Sequence, residues 1–285
     1  MTAVAATPHF DRTSQNAATA SRVVWMSSLP WMVIPAVVIA VVLGFAISSW
    51  VVGPLVGLLI GISVGVARTV MLRAASTVGL RTVMGGRPIE NSGDGAQDDA
   101  RHQARFMNLI EGLCVSTGTE EPLVVVIDDP HLNLAVFGPS DDATLVATSG
   151  LLANLSRIEL EGVIAAALWR IRTGDAALAG LVSTFRSGAA MRQPVSESAP
   201  SSAAMAKLSA PFDEYRHVLC DLGAVSITRY PPGLLAALER MELLGTSVSS
   251  ATWGTAALWM CNPSPLADNS LHCSVGLRTG VLAEL

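Results

Sequence analysis

Residues 31–50 form a run of 20 without a charged side chain, and a second uncharged run, 51–67, follows at once. At the helical rise the first run spans about 30 Å, the thickness of a bilayer's hydrocarbon core. Trp31 and Trp50 stand at its two ends, where indole rings favour the membrane–water interface. The second run is short for a span, but Arg68 can snorkel and residues 70–72 extend it. Joined by a tight turn around 49–53, the two runs predict a transmembrane helical hairpin over 23–73, behind an N-terminal tail of 1–22. Pro30 falls where a first helical turn would begin, and Pro35 is tolerable one turn further in.

Small residues recur every fourth position in both runs: Ala36, Ala40 and Gly44 in the first, Gly57, Gly61 and Gly65 in the second. That spacing puts each triplet on one helix face, where two backbones can approach closely. General enrichment of glycine in bilayer helices is the competing explanation. Arg12 and Arg22 precede the hairpin, Arg68, Arg73, Arg81 and Arg87 follow it, and the turn has none. By the positive-inside rule, both ends then lie in the cytoplasm. The first 22 residues lack the charged start and small-residue exit of a cleaved signal peptide, so the hairpin is expected to remain as an anchor.

The rest of the chain reads as one α+β domain. Charged residues are 14% of the total, against about 25% in an average soluble domain. A net charge of −5 offers no footprint for a nucleic-acid backbone, so nucleic acid is not an expected partner; the lipid bilayer is. Cys114, Cys220, Cys261 and Cys273 form no CxxC pair and read as small apolar fillers.

A linker is expected over 74–99, ending in a Gly/Asp/Asn-rich stretch, followed by a domain over 100–285. Helical periodicity over 100–115 is followed by three short strands, 123–127, 132–137 and 143–148, divided by Asp-Pro and Gly-Pro turns. The expected product is a small sheet with helices on one face. Ser156 and Glu159 make a capping box ahead of a broad apolar stripe running to about Arg172, the predicted central buried helix. The apolar stretch 176–185 is too short to cross a bilayer, so two spans are expected in total. Residues 193–210, rich in Ser, Pro and Ala, read as a disordered or loose loop. Helices are predicted from Asp213 and from Gly233, separated by Pro231-Pro232, and the last forty residues as only partly helical.

These segments, in this order, resemble the HtpX-like family of membrane zinc metalloproteases. The matching pieces are residues 108–114, 126–130 with Asn133, 148–152, 159–163, 172–175, 228–234, and Leu258-Trp259 with Asn262-Pro263. The resemblance covers roughly 100–263 and implies a gluzincin-like metalloprotease domain, with its former active-site helix buried, in a bacterial cytoplasmic membrane.

The family's motif is His-Glu-x-x-His on a helix, with a distant Glu as third ligand. Residues four apart share a helix face, so both imidazoles meet one zinc, and the Glu deprotonates the metal's water. The resemblance fixes the register by residues 161–163 before the motif and 171–175 after it. The motif slots are then Ala166, Ala167 and Arg170, the third-ligand slot is His217 ahead of Asp221, and a further family histidine corresponds to Ala257. Two methyl groups and a guanidinium replace the ligands and base.

The expectation is a degenerate, inactive member without a cofactor, with a binding, regulatory or assembly role. Its partner would be a membrane or peptide protein, with an extended chain adding to a sheet edge in the old substrate cleft. The alternative is an active zinc metalloendopeptidase with a non-standard metal site. His217, Cys220 and Asp221, at i, i+3 and i+4, could hold a metal weakly; a plain core or surface histidine is the bland reading. Arg170 is expected to replace the metal as a cross-brace by pairing with Asp221, or else to face solvent at the helix end.

Overall fold

The computed structural model describes residues 12–46, 51–89, 97–186, 188–195, 197, 199–264 and 271–285. Helices α1 (Arg12–Ala46) and α2 (Val52–Met84) pack side by side as the hairpin, and both are apolar and long enough to cross a membrane. A methyl group added at Gly61 would sit 2.5 Å from the Met32 carbonyl oxygen and 2.7 Å from the Ala36 side chain. A methyl group at Gly57 would meet the backbone of Ala36 and Ala40, and one at Gly65 the side chain of Met32. Gly44 falls within α1, and its surroundings are outside the described set.

At 35 and 33 residues the two helices measure about 50 Å each, well beyond a bilayer's hydrocarbon. Their far ends enter the domain: Val23, Leu80 and Met84 are buried with Phe137, Val182 and Trp259. Helix α2 therefore continues through much of the expected linker. Residues 85–89 leave it, strand β1 (Arg87–Pro88) forms there, and 90–96 lie outside the described residues.

Helix α3 (Gln97–Thr117) leads to β2 (Leu123–Ile127), β3 (Leu134–Phe137) and β4 (Thr144–Thr148). The sheet order is β1-β2-β4-β3, with β2 and β4 parallel and the outer pairings antiparallel. Every residue of β3 and β4 is buried, because the sheet is covered on both faces rather than on one as expected. Val124, Val136, Leu145 and Ala147 face a core shared with α3, α5 (Arg157–Arg172) and α9 (Pro231–Leu244). Val125, Ile127, Ala135, Phe137 and Val146 face a second core built from α2, α6 (Asp175–Arg186) and the segment around Trp253 and Trp259. Alternation along each strand thus feeds two apolar clusters.

The short helix α4 (Ser149–Asn154) links the sheet to α5. Helix α6 stays within the domain and carries the inner ends of α1 and α2. The stretch expected as a loose loop holds α7 (Ser202–Ser209), capped by Ser201, whose Met205 and Leu208, three apart on one face, are buried. Helix α8 (Arg216–Thr228) crosses α5, and α10 (Val275–Ala283) packs on α8 and α9.

Candidate functional site

Helix α5 starts where the sequence places it. Ser156 N–H donates to the Glu159 carboxylate at 2.7 Å and Glu159 N–H donates back to the Ser156 hydroxyl at 3.4 Å. Gly162 then lets α9 come close: a methyl group there would lie 2.9 Å from the Leu234 backbone nitrogen. One turn on, Ala166, Ala167 and Arg170 line a cavity with His217, Cys220 and Asp221 of α8 and Arg278 of α10. The structure therefore gathers the positions that the sequence resemblance assigned to the motif slots around one point. The space left is about 10 Å³, room for one water molecule.

Arg170 does not pair with Asp221, nor does it face solvent. It is 3% exposed, and its Nε donates to Asp175 Oδ2 at 2.7 Å. Its Nη1 and Nη2 donate to the carbonyl oxygens of Leu258 (2.8 Å) and Ala257 (3.2 Å). The reason is local. Helix α5 ends at Arg172, Gly174 takes a φ of +72°, and the chain turns so that Asp175 at the start of α6 meets a side chain one turn back. Arg216 also reaches Asp175 Oδ2 at 3.0 Å and the Ala257 carbonyl at 3.0 Å. Burial by itself raises the Asp175 carboxyl, but the charges of Arg216 and Arg170 outweigh it and hold the group below its ordinary value.

Asp221 is met instead by Arg278. The guanidinium is bidentate, Nε to Oδ2 at 2.6 Å and Nη2 to Oδ1 at 2.7 Å, with Nη1 donating to the Met260 carbonyl at 2.9 Å. Burial works against the charged form of Arg278; Asp221 overrides it and pushes the guanidinium above its ordinary range. Asp175, Arg216 and Arg278 carry this network, and sequence reading gave none of them a role. Asp175 and Arg216 adjoin motif positions, which was a usable signal. Nothing in the sequence of the last helix marks Arg278.

The three proposed weak ligands are close together but not available as a set. His217 is buried, and neither ring nitrogen has a hydrogen-bond partner. Burial, then the charge of Arg216, pulls it well below its ordinary value, so the ring is neutral. It stacks on His272 at 4.9 Å, whose Nε2 lies 3.1 Å from the Trp259 carbonyl. Burial pushes the Cys220 thiol up to about 12, which keeps it protonated, and Asp221 is committed to Arg278. Among the described residues no group of three or more His, Cys, Asp or Glu is placed to hold a metal ion. Of the side chains facing the cavity, Ala166 and Ala167 carry no donor atom, Arg170 and Arg278 are guanidiniums, and His217 is the imidazole whose ring nitrogens have no hydrogen-bond partner.

The sheet edge beside the site is also taken. Trp259 bridges antiparallel to Ala135, and Met260 N–H donates to the Leu134 carbonyl at 2.7 Å. Asn133, fully buried, fixes this segment with four hydrogen bonds. Its Nδ2 donates to the carbonyls of Thr246 (2.8 Å) and Cys261 (3.0 Å), and its Oδ1 accepts from the backbone N–H of Leu134 (2.9 Å) and Cys261 (3.2 Å). At Leu134 and Ala135 the chain's own segment thus lies along the β3 edge.

No family model matches the chain, and no solved structure matches it. It is similar to curated proteins named protease HtpX homolog. That of Dictyoglomus turgidum is 29% identical over 205 residues, 62% of this chain and 66% of the relative. Those of Dictyoglomus thermophilum and Tropheryma whipplei are 31% and 30% identical, over 55% and 56% of this chain and 60% and 64% of their own length. The matched stretch thus spans less than two thirds of each of these relatives. Several such homologues at about 30% identity, together with two helices long and apolar enough to cross a membrane, make the chain similar to the HtpX-like family.

Proposed function

We propose that this protein is a membrane-anchored pseudoprotease of the HtpX-like family, with a binding, regulatory or assembly role in place of peptide hydrolysis. The observation that carries the reading is the content of the motif slots. Ala166 and Ala167 present methyl groups, and Arg170 presents a guanidinium already bound to Asp175 and two carbonyls. Hydrolysis by a zincin needs a Lewis acid, an activated water and a base to take its proton. None of these three side chains supplies a ligand or a base. With β3 covered, the partner, a membrane protein or peptide, would be met on another face.

The same reading puts the chain in a bacterial cytoplasmic membrane with both ends in the cytoplasm. It is supported by Arg12 and Arg22 in the first part of α1 and by arginines along the inner part of α2, with none in the turn. A reporter fused after Leu285 that registers outside the cytoplasm overturns the orientation. The function is tested on purified protein by metal analysis together with casein cleavage. Substoichiometric zinc and no chelator-sensitive cleavage are expected. Stoichiometric zinc with chelator-sensitive cleavage overturns the pseudoprotease and restores a metalloendopeptidase with a non-standard site.

A further inference from the structure

Six arginines and no acidic residue occur between residues 12 and 89. Two of these arginines find carboxylates in the domain: Arg12 meets Asp213 at 3.2 Å and Arg81 meets Asp142 at 2.6 Å. Arg68 finds none among the described residues. Its guanidinium carbon lies 4.0 Å from the centroid of the Trp31 ring, and its Nε has no hydrogen-bond partner.

The position matters as much as the pairing. Arg68 closes the uncharged stretch 23–67 at its α2 end, and the stack on Trp31 sets that indole at the same level of α1, where an interface ring and a cation share one boundary of the hydrocarbon. Beside them the hydroxyls of Ser28 and Thr69 lie 3.0 Å apart and tie the two helices together at this depth. Trp31 stays half exposed. A cation at a membrane boundary without a counter-charge is costly, and stacking satisfies only the face of a guanidinium. Its Nε is buried, so the Nη1 and Nη2 end of the guanidinium is the edge that can meet two oxygens of a phosphate.

We propose that Arg68, held flat on Trp31, binds the phosphate of an anionic lipid headgroup at the arginine-bearing boundary of the hairpin. The lipid supplies the negative charge that the chain withholds from residues 12–89. The Ser28–Thr69 contact keeps α1 and α2 in the register that stacks Arg68 on Trp31. This inference rests on the hairpin crossing a bilayer.

The test uses the full chain in mixed micelles, with native mass spectrometry of retained phosphatidylglycerol against phosphatidylcholine. The wild type is expected to retain one phosphatidylglycerol in preference to phosphatidylcholine. Arg68→Gln should weaken that retention by about tenfold or more, the loss of a charged hydrogen-bonded partner. Trp31→Leu, which leaves the charge in place, should weaken it less, and Arg22→Gln should leave it unchanged. Equal retention by Arg68→Gln and wild type overturns the site, and so does an equal loss in Arg22→Gln, which marks diffuse attraction. Displacement by millimolar inorganic phosphate overturns the lipid as the source. If Arg68→Gln does not fold, Trp31→Leu and Arg68→Lys carry the same comparison. A chain that purifies as a soluble monomer without detergent overturns the membrane reading itself, a result distinct from loss of headgroup preference.

Discussion

Arg170 meets a different carboxylate from the one expected, Asp175 in place of Asp221. A permanent charge does stand among the motif positions, buried and braced, but it braces α5 to α6 and to the Ala257–Leu258 backbone. Arg170→Met should cost about 3–5 kcal/mol, because Asp175 stays buried with one of its two cations gone. Thermal unfolding in detergent measures it, and an unchanged midpoint would remove the brace from the account. The two buried histidines predict a pH effect of definite sign. Burial first, and the charge of Arg216 next, pulls His272 down to about 3, and His217 also lies well below 6.5. Between pH 6.5 and about 3 the unfolded chain binds protons that the folded chain refuses, so stability falls as pH falls through that window. The slope is at most about 1.4 kcal/mol per pH unit for each ring. Replacing His272 by Gln should flatten the decline of the unfolding midpoint between pH 7 and 5.

At the scale of elements, the capping box and the glycine stripe are the parts where sequence and structure coincide. Both are local patterns, so their geometry follows from spacing along one helix. Ser156→Ala should lower stability by about 1 kcal/mol, the usual worth of an N-cap, as read from denaturant midpoints. Gly61→Leu is expected to separate α1 from α2, since even a methyl group there meets the Met32 carbonyl at 2.5 Å. Cysteines engineered at Ser28 and Thr69 should crosslink in the parent and much less in that variant. The β3 edge and α7 went the other way. What covers β3 comes from Trp259, more than a hundred residues on, and α7 is held by two apolar side chains in a stretch whose composition resembles a loop.

For the molecule as a whole, the membrane helices belong to the domain's core. Val23, Leu80 and Met84 sit in the same cluster as Phe137 and Trp259, so removing the hairpin would expose that side of the sheet. A fragment of residues 85–285 is therefore expected to aggregate or to bind a hydrophobic dye. A fragment that is monodisperse and unfolds cooperatively would show that the hairpin only tethers. Both helices contact α6, whose first residue, Asp175, holds Arg170 and Arg216.

The sequence by itself determined the hairpin, the start of α5, the three main strands and the family resemblance. Each rests on period, run length or order, which are properties of neighbours in the chain. Only the tertiary structure decided which carboxylate each buried arginine meets, because Asp221 and Arg278 are 57 residues apart and nothing local joins them. It also decided that both faces of the sheet are covered, that the chain closes its own β3 edge, and that α2 runs on into the domain. A buried charge takes the nearest compensating group that folding brings to it, and in this chain that partner is set by how α5, α6, α8 and α10 pack.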